Sequence, residues 1–170
     1  MRKISTTVTY LEMTAEPVLR APLPSNFKLM LMRAERPSTA FYRYLYDAGR
    51  NYYWVDRAKL DDSALAGIIE DERVEIWVLY VAGEPAGFFE IDGRDAPLVE
   101  LRYFALLPKY HGVGLGEWFL AEAVRACWAM KPERVVVETC TLDSPAALPI
   151  YQKLGFVPYD RQDKIIEIND

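Results

Sequence analysis

Val99-Glu100-Leu101-Arg102-Tyr103-Phe104-Ala105-Leu106-Leu107 runs into Pro108-Lys109-Tyr110 and then into His111-Gly112-Val113-Gly114-Leu115-Gly116. The first segment reads as a strand, and the glycine-rich segment opens an amphipathic helix that continues to Met130. Glycines at alternate positions 112, 114 and 116 leave the backbone bare, so an anion can come close to the loop N–H groups. The helix behind them aims its unpaired N–H groups and its positive dipole end at the same point. Such a loop suits a pyrophosphate. It is not a P-loop, because Gly116 is followed by Glu117 and Trp118 instead of Lys and Ser or Thr. Nor does it fit G-x-G-x-x-G: counted from Gly112 the last glycine falls on Glu117, and counted from Gly114 it falls on Phe119.

A third pattern, Arg/Gln-x-x-Gly-x-Gly/Ala, fits His111 to Gly116 except at its first letter. It is the coenzyme A loop of the GCN5-related N-acetyltransferases, and the flanking sequence is similar to that family too. Glu100 to Pro108 resembles the family's fourth strand, an apolar run ending in proline. Ser144-Pro145-Ala146-Ala147-Leu148-Pro149-Ile150-Tyr151-Gln152-Lys153-Leu154-Gly155-Phe156 resembles its last helix, N-x-x-A-x-x-L-Y-x-K-x-G-F. The resemblance is close from about Val74 to Phe156 and loose before that. It implies a mixed α/β acyl-CoA N-acyltransferase fold, with a mostly antiparallel twisted central sheet flanked by about four helices. One domain is expected over 1–170: an extension with an added strand over 1–26, and a core over 27–170.

Composition sets limits around this reading. A chain of 170 residues, 51% hydrophobic, is long enough for one domain with a proper core. It has no run of roughly 18 apolar residues and no secretory h-region at its start, so neither a membrane span nor export is expected. Cys127 and Cys140 have neither C-x-x-C nor metal spacing and read as small core residues in a reducing cytoplasm. A single histidine argues against a Ser-His-Asp site or a His-rich zinc site, and no metal is expected. A net charge of −5 argues against a nucleic-acid binder.

Outward from the loop, the elements alternate. Strands are expected over 5–13, 27–33, 74–81, 85–91, 99–107 and 135–141, with Ala82-Gly83-Glu84 as a hairpin turn. Helices are expected from Pro37 to about Asp47, stopped by Gly49, and from a cap at Asp61 or Asp62 to about Glu70. The helix after the loop turns Leu120, Ala123, Val124 and Cys127 to one face and stops at Pro132. Pro145 opens the last helix, and a strand or hairpin closes the chain after Phe156. Residues 16–26, with Pro17, Pro22 and Pro24, form a connector; the strand before it can pair with a sheet edge in the chain or in a partner, leaving a homodimer open.

The resemblance implies transfer of acetyl from acetyl-CoA to a primary amine of a small molecule, protein or peptide by direct attack. By position, Tyr151 is the general acid for the departing thiolate; a phenol is protonated at neutral pH and can donate. Glu100 stands four positions before Phe104 and matches the general base of the histone-acetyltransferase branch. Alternation puts Glu100, Arg102, Phe104 and Leu106 on one face, and an ion pair with Arg102 is the competing role for Glu100. Phe104, Ala105 and Leu106 would meet the pantetheine arm through backbone groups, where the fourth strand bends from the fifth. Gly112, Val113, Gly114, Leu115 and Gly116 would hold the pyrophosphate, with Lys153 also matching the motif. Ser144 stands where relatives carry Asn and can instead cap a helix. His111 stands where relatives carry Arg or Gln: as imidazolium it would face a phosphate, otherwise the loop amides carry the binding and it faces solvent.

The acceptor side is aromatic. Tyr42 and Tyr46 lie one helical turn apart, with Tyr53 and Trp54 in the connecting loop. They form either a box for a cationic or aromatic amine, or the packing of an amphipathic helix. An acyl-CoA-binding sensor, an interaction domain without transfer, or a transferase for another acyl group would share the same loop.

Overall fold

A computed structural model describes residues 2–168. One seven-stranded sheet organises them, in the order β2-β3-β4-β5-β6-β1-β7. The strands are β1 (Arg2–Met13), β2 (Leu29–Arg33), β3 (Val74–Val81), β4 (Glu84–Asp92), β5 (Leu98–Leu106), β6 (Arg134–Cys140) and β7 (Val157–Ile168). Every neighbouring pair is antiparallel except β5 and β6. The helices are α1 (Thr39–Tyr46), α2 (Asp62–Ile69), α3 (Gly116–Ala129) and α4 (Ala147–Lys153). Among the described residues no helix is long and apolar enough to cross a membrane.

Strand alternation divides the apolar side chains between two cores. Val74, Ile76 and Val78 of β3 pack with Tyr42, Leu45, Leu65 and Ile69 of α1 and α2. Leu79 and Val81 pack instead with Phe119, Leu120, Val124 and Cys127 of α3 and with Tyr151 and Leu154 of α4. Side chains one residue apart point to opposite sheet faces, so each helix pair covers its own face.

Several expected boundaries move for local reasons. The Ser38 hydroxyl accepts the Phe41 N–H at 3.1 Å and so caps α1, which leaves Pro37 just outside the helix. Gly49 does not stop it: α1 passes at Asp47 into a 3-10 turn, Asp47–Tyr52, that contains this glycine. The Asp61 carboxylate accepts the Ala64 N–H at 2.8 Å and caps α2. Ala82 (φ 49°) and Gly83 (φ 87°) make the hairpin turn alone, and Glu84 already belongs to β4. The last helix starts at Ala147, two residues after Pro145. Cys127 is buried in a core as expected, but Cys140 is only half-buried and lines a cavity.

The largest departure concerns the strand before the proline connector. It starts at Arg2, earlier than expected, and pairs within the chain. It is not at an edge: β1 is inserted between β6, along Val8–Met13, and β7, along Arg2–Glu12. The closing segment is accordingly one strand, not a hairpin.

Candidate functional site

β5 and β6 pair only at Leu98, Val99 and Glu100, opposite Arg134, Val135 and Val136. Beyond those residues the strands diverge, and backbone groups of Leu101–Leu106 and Val137–Cys140 face a cavity of about 1030 Å³. That volume is the upper end of what small-molecule sites occupy. The bend expected from the resemblance is therefore present, and the wedge it opens is the floor of the site.

The glycine loop borders this wedge. Gly112 (φ 70°) and Gly114 (φ 89°) both hold left-handed backbone that a side chain would strain, and both line the cavity with Gly116 and buried Leu115. α3 begins at Gly116 with no side chain capping it, so its first N–H groups are free for an anion in the cavity. The loop geometry therefore fits a pyrophosphate on structural grounds. Phe104, Ala105, Leu106 and Ser144 line the same cavity. Val113 and Lys153 do not: Val113 points to solvent, and the Lys153 ammonium donates to Glu117 at 2.7 Å beside the start of α3. His111 is exposed and lines the cavity beside the loop. Its Nε2 lies 2.7 Å from the Leu106 carbonyl, so the imidazole folds back onto the end of β5 and donates there.

Tyr151 lines the cavity from α4 and is buried to 7% exposure. Burial, and then the Asp143 carboxylate, push its phenol well above the usual range, so it stays protonated. Glu100 is placed differently from the expectation. β4 and β5 slip register between Glu90–Tyr103 and Ile91–Leu101, which leaves Arg102 as an extra residue on β5. Across this bulge alternation changes phase. Leu101 and Phe104 enter the α3 core, while Tyr103 and Ala105 enter the other. Glu100 and Phe104 thus do not share a face, and Glu100 borders a separate depression with Asp92, Arg94, Asp95 and Leu98. Its carboxylate accepts from Arg102 at 3.2 Å; burial raises its pKa more than Arg102 lowers it.

The cavity is also lined by Tyr46, Tyr52, Tyr53, Trp54, Asp56, Arg102, Tyr103 and Glu138. Tyr46, Tyr53 and Trp54 therefore reach the site; Tyr42 does not. It is fully buried, and its hydroxyl donates to Glu90 at 2.5 Å. Glu90, also fully buried, accepts from Arg57 at 2.6 Å, and the Arg57 backbone N–H donates to the Tyr46 hydroxyl at 3.2 Å. Together these bonds hold the loop after the 3-10 turn against the sheet. The Trp54 ring meets Tyr103 at 4.8 Å and Tyr46 at 5.6 Å between centroids, so these aromatics pack largely on one another.

Residues that sequence reasoning missed include Arg102 as a hub, 2.7 Å from Asp56 and 3.9 Å from Glu138, and the buried Arg57–Glu90 pair. Glu90 could have been flagged as the charge inside the apolar run Phe88-Phe89-Glu90-Ile91. Nothing local marks Arg57 as its partner.

Residues 28–156 match the model of the Acetyltransferase (GNAT) family. No curated protein sequence matches the chain. Among solved structures, a functionally unknown conserved protein from Staphylococcus epidermidis shares 17% identity at a TM-score of 0.66. That match covers 96% of this chain but 62% of the other, so this chain spans less than two thirds of that protein's length. A GCN5-related N-acetyltransferase from Kribbella flavida gives 0.59 at 14% identity, over 94% of this chain and 56% of that one. An aminoglycoside acetyltransferase from an uncultured soil metagenomic sample gives 0.58 at 14% identity, over 75% and 87%. These likenesses show a shared fold. With a family match over most of its length, glycines in left-handed backbone at an uncapped helix start, and β5 splayed from β6, this chain belongs to the GNAT acetyltransferase family.

Proposed function

We propose that the protein is an N-acetyltransferase that moves acetyl from acetyl-CoA to a primary amine by direct attack. The observation that carries this reading is the convergence on one cavity of the glycine loop, the splayed backbone of β5 and the Tyr151 phenol. Loop N–H groups from 112 to 116 and the start of α3 would hold the pyrophosphate, and backbone groups of Phe104, Ala105 and Leu106 the pantetheine arm. The Leu106 carbonyl already accepts from His111, which leaves the arm the other backbone groups of that segment.

The neutral amine nitrogen bonds to the thioester carbonyl carbon and the carbon–sulfur bond breaks. Tyr151 gives its phenolic proton to the departing sulfur and recovers one from solvent. The ammonium proton leaves through water at the cavity mouth. Asp56 and Glu138 are carboxylates on the acceptor-side wall, whereas Glu100 lies outside it, so a base role for Glu100 would need a water between. Tyr46, Tyr53 and Trp54 border the acceptor. Two unpaired cysteines and use of the coenzyme suit a reducing cytoplasm.

Calorimetric titration with acetyl-CoA and with CoA tests the coenzyme half of this reading. Micromolar binding, lost in Gly114→Val with the fold retained by circular dichroism, supports it; no binding to folded protein overturns it. Thiol release over a panel of polyamines, arylalkylamines, aminoglycosides and peptides tests the transfer half. Tyr151→Phe should lower turnover by roughly 10²-fold or more with the coenzyme dissociation constant unchanged.

A further inference from the structure

We propose that two copies of this chain pair along the free edge of β7, antiparallel, about a two-fold axis through Gln162. Among the described residues β7 is an end strand of the sheet, bonded on one side to β1, and its residues from Val157 to Ile165 are exposed. Its ladder to β1 is regular from Asp160 onward and broken at Tyr159, so the straight pairing segment starts at Asp160. Exposed edges are usually defended by charge. Here the charges also have an order: Asp160 and Arg161 precede Gln162, and Asp163 and Lys164 follow it.

A two-fold axis perpendicular to the sheet preserves faces and sets residue i against 324 − i when it passes through Gln162. Asp160 then meets Lys164 of the partner subunit, Arg161 meets Asp163 of the partner subunit, and each pair occurs twice. Moving the axis to Asp160, Arg161, Asp163 or Lys164 sets that charge against its own copy, and moving it to Ile165 sets Asp163 against Glu167 of the partner subunit. Of the six positions from 160 to 165, only Gln162 gives opposite charges and no like pair. About four to six backbone hydrogen bonds would join the strands, depending on which residues turn their N–H groups outward. A two-fold axis closes the assembly at two copies, the commonest symmetry of homo-oligomers.

The pairing also reaches the catalytic cavity. Lys164 lines it, with the ammonium 5.3 Å from the Tyr10 ring centroid, and Asp160 of the partner subunit would stand beside Lys164. One copy thereby adds a carboxylate to the rim of the other's site.

Sedimentation equilibrium of the full chain, from about 1 to 100 μM, tests the proposal. The expected species is a dimer of twice 19.5 kDa, weakened when salt rises from about 0.05 to 1 M. Arg161 is exposed and makes no ion pair among the described residues, so Arg161→Asp tests the interface without a fold penalty, checked by circular dichroism. That variant sets a carboxylate at position 161 against Asp163 of the partner subunit at two symmetric points and should raise the dissociation constant about tenfold or more. The swap Arg161→Asp with Asp163→Arg should restore it. A monomer at about 100 μM, a dimer indifferent to Arg161→Asp, or a swap that fails to rescue would each overturn the proposal.

Discussion

Arg57→Ala should destabilise the protein far more than a loop substitution usually does. Arg57 sits in the segment between the 3-10 turn and α2, yet it is 7% exposed, and its guanidinium meets the fully buried Glu90 at 2.6 Å. At that separation and an effective dielectric of about 20, attraction is on the order of 6 kcal/mol. Much of that gain is offset by dehydrating both ions. Arg57 Nε finds no partner among the described residues, which subtracts further. Removing one partner is different: Glu90 would keep its burial and lose its counter-charge, with only the Tyr42 hydroxyl left to it. The expected loss is about 3–5 kcal/mol. Tyr42→Phe, which deletes one hydrogen bond and leaves the ion pair, should cost about 1–3 kcal/mol. Replacing the pair together, as Arg57→Met with Glu90→Leu, should recover most of the loss. Urea unfolding followed by tryptophan fluorescence, with m-values checked for constancy, gives all four free energies. A loss below about 1 kcal/mol for Arg57→Ala would refute the reasoning, since the pair would then be no better than a surface one.

Three other outcomes follow from particular contacts. A Cβ on Gly49 would lie 2.1 Å from the Trp54 ring, so Gly49→Ala should displace that ring, cost about 1–3 kcal/mol and weaken acceptor binding while coenzyme affinity, measured by calorimetry, stays the same. Burial raises the Glu100 carboxyl, with Arg102 opposing. A raised folded pKa contributes stability that is full below the unfolded value near about 4.3 and is lost as pH rises through the folded value. Glu100→Gln removes that loss, so its melting temperature relative to the parent should climb from about pH 4 upward; a constant difference would contradict the sign. Cys140 borders the cavity, whereas Cys127 is fully buried, which drives its thiol upward. Iodoacetamide should therefore modify Cys140 alone, and CoA should slow that reaction several-fold, as read by mass spectrometry.

What is legible in the sequence is local. Glycines at 112, 114 and 116 ahead of a helix declare a bare, uncapped turn, and both the left-handed backbone and the free helix start are there. The Tyr151 motif likewise places its residue on the cavity wall. Errors arise where an inference assumes regularity or lacks a partner. Alternation puts Glu100 on the face of Phe104, but one extra residue at Arg102 reverses the phase. Tyr42 and Tyr46 do share a helix face, yet that face meets the sheet, and of the two only Tyr46 lines the cavity. His111 reads as a phosphate ligand or a solvent-facing residue; it is exposed, but its bond to the Leu106 carbonyl, five residues back and brought near by the turn at Pro108, has no signal in the sequence. The place of β1 inside the sheet depends on β6 and β7, more than 120 residues away along the chain, and no local pattern encodes that distance.

The insertion of β1 orders the events of folding. β3, β4 and β5 are joined to one another by short connections, so their hairpins can close early at little entropic cost. The other half cannot. β6 has no antiparallel partner until residues 8–13 return from the far end of the chain, and β1 is not flanked on both sides until 157–168 exist. Pairings of that span dominate slow steps in folding. A ribosome could therefore release a nascent chain with β2 to β5 and α3 assembled while β6 still presented an open edge. The second wall of the wedge, Val137 to Cys140, would become fixed only at the end. A complete cavity wall is then a property of the finished strand order, acquired last.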